Sequence, residues 1–217
     1  HQDGSSHLVA STIPNCKAYD PAFSAELAVI LDRGMQEMMV EQQDVFYYVT
    51  LMNENYAQPD LVPGSEGDII RGCYRFKDFP AVSAAKANTV REVTLMGSGA
   101  ILTEVIKAAV LLADQGVHAT VYSVTSWSEL ARDGATQQKH MLNGETAPPA
   151  FVTEQLATSH GPIIAATDYV RAVPESVRAF LPAGRSYLTL GTDGFGRSDT
   201  RAALRAFFGV DAQSLSL

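Results

Sequence analysis

The sequence predicts an α/β fold: a mostly parallel sheet with helices on both faces, preceded by a shorter strand, helix and strand unit. Three observations carry that expectation. Short apolar, β-branched runs alternate with stretches of helical spacing, the pattern of successive β-α-β units. Pro14, the Gly97-Ser98-Gly99 triplet, Gly116, Gly134 and Gly161 punctuate the alternation. The helix ILTEVIKAAVLLADQG carries Ile101, Leu102, Val105, Ile106, Ala109, Val110 and Leu112 and keeps little polar surface, as a deeply packed helix does.

In chain order, LVASTI (8–13) reads as a strand ended by Pro14-Asn15. A helix follows, capped by Asp20 with Pro21 in its first turn, and Phe23, Leu27, Ile30, Leu31, Gly34, Met35 and Met38 share one face. VFYYVTLM (45–52) is rich in aromatic and β-branched residues and reads as a buried strand. Between Asn53 and Asn88, Pro59, Pro63, Gly64, Gly67, Gly72 and Pro80 interrupt any long element, which predicts a linker. Ile69, Ile70, Tyr74, Phe76 and Phe79 predict that it packs along the surface. Next come the strand REVTLMGSG, the helix ending at Gly116, the strand ATVYSVTS (119–126) and a short helix SWSELARDG stopped by Gly134. The strand GPIIAATD, a helix with Pro174 in its first turn, the strand SYLTLG (186–191) and a helix capped by Ser198 or Asp199 complete the chain.

Composition sets bounds on function. A chain of 217 residues, 46% hydrophobic and 18% charged, can bury a sizeable core. A net charge of -8 argues against nucleic acid, whose binders neutralise phosphates. No apolar run approaches the ~20 residues of a membrane helix, and HQDGSSH lacks a secretory leader, so a cytoplasmic chain is expected. Cys16 and Cys73 are far apart and outside any CxxC pair, which predicts neither a disulfide framework nor a zinc site. The chain opens on His1 rather than Met, and its amino terminus is read as a cut.

Five clusters could carry chemistry. The Gly97-Ser98-Gly99 turn between a strand and a helix offers amides to an anion, or is a tight structural turn; it lacks the spacing of GxGxxG or a P-loop. Asp193-Gly194-Phe195-Gly196-Arg197-Ser198-Asp199 is either a loop whose phenylalanine plugs the core, or an anion or regulatory site built on Arg197. Arg132-Asp133-Gly134 reads as a surface ion pair closing a helix. Tyr47, Tyr48 and Tyr56 flank Asn53-Glu54-Asn55 at a strand end, where α/β folds place ligands. Finally, His1 and His7 bracket Asp3 in HQDGSSH; histidine there could move protons near neutral pH, and no GxSxG elbow supports a serine triad.

HQDGSSH, STIPNCKAYDPAFSAELAVIL, VFYYVTLMNENY, VTLMGSGAILTEV, YSVTSWSELARDG, ATDYVRAVPESVR and LGTDGFGRSDTRAALRAFF, in this order, resemble the homodimeric bacterial pyruvate dehydrogenase first component, a thiamine-diphosphate-dependent and transketolase-like family. The resemblance implies the end of a pyrimidine-binding middle domain over 1–58, a linker over 59–88 and a transketolase-like carboxy-terminal domain over 89–217. It implies oxidative decarboxylation of pyruvate with acetyl transfer to lipoamide, a self-paired homodimer, and a dihydrolipoamide acetyltransferase partner. His1 matches the first histidine of the family's HEDGHSH-like segment, near the bound 2-oxo acid, and is the catalytic candidate; Gln2 and Ser5 depart from that segment. The family's GDG motif for diphosphate and Mg(II) is missing, and SLSL ends the sequence before an expected helical tail. The piece is therefore expected to hold no thiamine diphosphate or Mg(II), to support domain and dimer packing, and to be inactive alone. The alternative is a non-catalytic α/β module that binds a partner or an anion at the Gly97 turn or the Gly194 loop.

Overall fold

The computed structural model describes residues 3–82 and 91–216. Strands β1 (Cys16–Tyr19) and β2 (Phe46–Val49) pair in parallel. A parallel pair needs a crossover, supplied by α2 (Ser24–Met35) and the π-helical turn Gln36–Val40 that continues it. Beside this unit lies a five-stranded sheet in the order β3 (Cys73–Phe79), β5 (Val117–Val124), β4 (Arg91–Gly97), β6 (Ile163–Ala166), β7 (Tyr187–Leu190). All its pairings are parallel except β3 with β5.

Side-chain alternation along each strand divides the core between two faces. Leu95 and Val121 pack with α4 (Leu102–Asp114) through Leu102 and Val105. Their neighbours Met96 and Tyr122 pack instead with Trp127 and Leu130 of α5 (Trp127–Leu142) and Phe151 of α6 (Phe151–Gln155). Helices thus cover both faces of a mostly parallel sheet, as the sequence predicts. The chain is completed by α7 (Ala172–Glu175), α8 (Arg201–Phe208) and α9 (Ala212–Leu215).

Several elements differ from expectation, each for a local reason. LVASTI is not a strand; Ser6–Ser11 form helix α1. Asp3 Oδ1 accepts the amides of Ser5 and Ser6 at 3.1 and 3.0 Å, closing the first turn, and His7 and Ala10, one turn apart, form the buried face. Asp20 does not cap α2. Glu26 Oε2 takes the amides of Ala22 and Phe23 instead (2.6 and 3.1 Å). Gly134 does not end α5, which runs to Leu142; it lies mid-helix because a Cβ there would stand 2.3 Å from the Phe180 ring. Neither Ser198 nor Asp199 caps α8; Thr200 Oγ1 accepts the Ala203 amide. The stretch expected to link two units holds α3 (Glu66–Arg71) and β3, whose pairing with β5 shifts register between Arg75 and Lys77.

Gly161, which leads into β6, combines φ +76° with a virtual Cβ only 1.9 Å from the Glu92 carbonyl oxygen. Gly64 has φ +79° and open space around it. In urea denaturation, Gly64→Ala is expected to cost about 1 kcal/mol for the left-handed backbone alone. Gly161→Ala should cost at least about 2 kcal/mol, because β4 and β6 must move apart as well. Equal losses would contradict this packing.

Candidate functional site

In a doubly wound sheet, the crevice outside the carboxyl ends of the strands opens where successive connections leave in opposite directions. Here β4 connects to β5 on one side and β6 lies on its other side, so that point falls between the ends of β4 and β6. Ser98 follows β4 and Thr167 follows β6, their hydroxyls 3.1 Å apart. Asp20, just past the end of β1, occupies the position. Its amide donates to the Thr125 carbonyl (2.8 Å) and its carbonyl accepts from the Gly99 amide (2.9 Å). Gly99 has φ +52°, and a Cβ there would meet the Asp20 carboxylate at 2.5 Å. The Gly97–Gly99 turn therefore faces a carboxylate of its own chain.

Behind Asp20 runs a line of buried polar groups. Thr50, after β2, donates its hydroxyl to Asp20 Oδ1 (2.8 Å), and His7 Nε2 lies 2.8 Å from the same Thr50 oxygen. The imidazole is 7% exposed and meets Tyr48 and Tyr169 edge-on at centroid distances of 5.5 and 4.6 Å. Asp20 Oδ2 is buried without a hydrogen-bond partner among the described residues. Burial pushes the Asp20 carboxyl up to about 7, opposed by the Thr50 hydrogen bond and the nearby Ser98 hydroxyl, with the Asp168 and Glu26 charges adding to the rise. Burial pushes His7 down to about 4, opposed by the Asp3 charge.

In front of this line is a cleft of about 340 Å³ whose walls include Asp3, Gly4, Asp168, Thr192, Arg201 and Arg205. The loop after β6 holds the amino-terminal segment: the Val170 amide donates to the Gly4 carbonyl at 2.9 Å. Asp168 sits on the same loop, its carboxyl raised by burial and lowered in turn by Arg205. Arg205 is 8% exposed and bonds Glu54 at 2.5 Å and Glu104 at 3.3 Å, while Arg201 reaches Asn53. These contacts tie the loop after β2 to α8.

The residues singled out in the sequence have different surroundings. His1, the catalytic candidate, lies outside the described residues; Asp3 and Gly4, just after it, line the cleft. The Asp193–Asp199 loop forms part of the cleft rim, with the Arg197 guanidinium 4.4 Å over the Phe207 ring. Phe195 does not plug the core between its glycines: it is 94% exposed, because Asp193 turns outward to bond the Arg171 amide (2.8 Å) and guanidinium (2.7 Å). Tyr47 and Tyr56 hydrogen-bond Glu37 and the Ala22 carbonyl and so support structure, whereas Tyr48 reaches His7. Arg132 pairs with Glu129 inside a helix that continues past Gly134, and also binds the Cys16 and Ile13 carbonyls, at 2.6 and 2.8 Å. Asp20 and Thr50 were missed as site residues; a lone carboxylate before a proline reads in sequence as a helix cap.

A diphosphate with a metal does not fit the described residues. No group of three or more His, Cys, Asp and Glu among them could hold a metal. The amide at the crevice already serves Asp20. No helix among them is long and apolar enough to cross a membrane.

Residues 72–211 match the transketolase-like TK C-terminal domain, and residues 1–59 match the pyruvate dehydrogenase E1 component middle domain. The pyruvate dehydrogenase E1 component of Pseudomonas aeruginosa is 49% identical over 214 residues, covering 97% of this chain and 24% of that protein. That of Escherichia coli K12 is 45% identical over 215 residues, covering 98% and 23%. The chain thus spans about a quarter of the length of these relatives. Among solved structures, a transketolase from Leishmania mexicana superimposes with a TM-score of 0.61 at 16% identity, over 100% of this chain and 26% of that one.

The two buried groups predict opposite pH dependences. Asp20, raised from 3.8 to about 7, holds a proton in the folded state that the unfolded chain releases, so its stabilisation is full at low pH and lost as pH rises through about 7. His7, lowered from 6.5 to about 4, contributes stability at neutral pH that is lost as pH falls through about 4. The two offset each other between about pH 4 and 6.5. Asp20→Asn should expose a stability that rises with pH across that window, and His7→Gln one that falls, each by up to about 1.4 kcal/mol per pH unit in urea titrations. An Asp20→Asn effect of equal size at every pH would refute the assignment.

Proposed function

This chain belongs to the family of transketolase-like TK C-terminal domains, and from that premise we propose that it is part of a pyruvate dehydrogenase E1 component, the enzyme of oxidative pyruvate decarboxylation and acetyl transfer to lipoamide. In this reading, residues 1–58 end the middle domain, 59–88 connect, and 89–217 form the carboxy-terminal domain, to whose sheet β3 is joined. Thiamine diphosphate and Mg(II) belong to polypeptide beyond this chain.

One observation carries the proposal: the carboxy-terminal unit physically holds the segment that follows His1. Val170 binds the Gly4 carbonyl, and Gly99 and Thr125 bind the main chain of Asp20. A unit built this way fixes Asp3 and Gly4, the residues shortly after His1, in the wall of a cleft, and in this reading proximity of that kind has catalytic value. His1 is the residue that would exchange a proton near the 2-oxo acid, imidazole being the side chain that does so near neutral pH. The competing anion-binding reading finds less support, because at the Gly97 turn the Gly99 amide already donates to Asp20, and beside the Gly194 loop the Arg197 guanidinium lies over the Phe207 ring. A cytoplasmic setting, a homodimer and a dihydrolipoamide acetyltransferase partner complete the proposal. The exposed side chains of Leu188, Phe195 and Phe207 support a second copy as one occupant of the surface.

The 217-residue chain alone should release no CO2 from pyruvate in the presence of thiamine diphosphate and Mg(II), whereas the longest natural polypeptide carrying this sequence should. In that polypeptide, His1→Gln should lower kcat by about 10²-fold with an unchanged melting temperature. Decarboxylation by the short chain would overturn the reading. Sedimentation equilibrium should show the chain as a dimer, with Phe207→Asp shifting it toward monomer; a monomer at high concentration would remove dimer packing from its role.

A further inference from the structure

The line from Asp20 to His7 is absorbed neither by the family assignment nor by the cleft. A hydroxyl owns one proton and two lone pairs, so Thr50 can donate in one direction only. An ionised Asp20 accepts and cannot donate. The Thr50 proton therefore goes to Asp20 Oδ1 at 2.8 Å in preference to the more distant, uncharged Tyr19 carbonyl at 3.4 Å, and the oxygen is left to accept from His7 Nε2 at 2.8 Å. That assignment places the imidazole proton on Nε2 and leaves Nδ1 bare.

We propose that Asp20 is a positioning residue: through the Thr50 hydroxyl it selects the Nε2–H form of His7 and locks the ring that anchors α1 behind the cleft. The groups around the pair fit this role. Asp20 is faced by Thr50 after β2, Ser98 after β4, Asp168 and Tyr169 after β6, Glu26 from α2 and Tyr56. Apart from Thr50 and Asp20, His7 faces Tyr48, Tyr169 and, from the turn before its own helix, Asp3. Burial, which outweighs the Asp3 charge, keeps the imidazole neutral at and above neutral pH, so its tautomer is free to be chosen. The consequence reaches the cleft because α1 starts on Asp3, whose carboxylate takes the Ser5 and Ser6 amides, and Gly4 is tied to Val170. Fixing His7 fixes the roll of α1, and with it the wall made by Asp3 and Gly4. Protonating Asp20 removes the charged acceptor, and the Nε2–H preference goes with it.

The test uses two variants of one residue. In ¹⁵N-edited NMR of the imidazole, His7 of the native chain and of Thr50→Ser should show the proton on Nε2 above neutral pH, and the preference should fade on acidification as Asp20 takes up a proton. Thr50→Val should abolish both the preference and its pH dependence. The same Nε2–H signal in Thr50→Val, or an Nδ1–H ring in the native chain above neutral pH, overturns the proposal. Should Thr50→Val fail to fold, the native titration and Thr50→Ser decide it. A second arm rests on the proposed function: in the longest natural polypeptide, Thr50→Val should lower kcat/KM about tenfold and alter its pH profile, and Thr50→Ser should restore both. An unchanged profile in Thr50→Val overturns the role in placing the cleft wall. Absence of pyruvate decarboxylation in the native polypeptide would instead strike the functional reading, leaving the ring-nitrogen result to judge the coupling by itself.

Discussion

The hydrogen bond from the Gly99 amide to the Asp20 carbonyl is the contact on which the arrangement depends. It lies at the one position of the large sheet where two strand ends diverge, and it fills that position with main chain and carboxylate from the two-stranded unit. The geometry admits it only because residue 99 lacks a Cβ. Asp20 also reaches β5 through Thr125 and β2 through Thr50, so three strands meet at one residue. A carboxylate buried there is costly unless it is hydrogen-bonded or protonated, which explains its raised proton affinity and the ring of hydroxyls around it.

A second junction works by charge. Arg205 of α8 is almost wholly covered and lies between Glu54 and Glu104, joining the loop after β2 to α4, while Glu104 also accepts the Ala212 amide that opens α9. Ion pairs of this kind add little stability compared with apolar packing, yet removing one partner strands a charge in the interior. Their value here lies in register: the loop after β2 cannot slide along α8 without breaking two bonds. Asp168, in the cleft wall, lies within electrostatic reach of both the Asp20 and the Arg205 junctions.

Periodicity made most of the large sheet legible. β4 to β7 and α4 read correctly because buried parallel strands are largely apolar runs and α4 repeats apolar residues at helical spacing, although Val110, expected to be packed, is 46% exposed. The misreadings have physical sources. CYRFKDF, the sequence of β3, has an edge strand's charges and stands among glycines and prolines, so it looked like a connector. The helix SHLVAS runs against the β-branched character of Val9, because two amides closing on Asp3 outweigh propensity in so short a segment. Gly134 read as a stop because sequence cannot show the Phe180 ring that demands it. For the candidate site, the segment near His1 was legible from its motif, whereas Asp20 and Thr50 were not. Their role arises from long-range contacts of 30 and 43 residues' separation that leave no local pattern.

The reversed strand β3 also bears on how the molecule avoids its own kind of failure. Among the described residues the large sheet has two borders, β3 and β7. Unpaired borders recruit foreign strands and seed fibrils. One border carries the register shift between Arg75 and Lys77 together with the charges of Lys77 and Asp78, and the other is only four residues long. The first border is irregular and charged, and the second, though apolar, is short, so neither offers a long, flat template to a foreign strand.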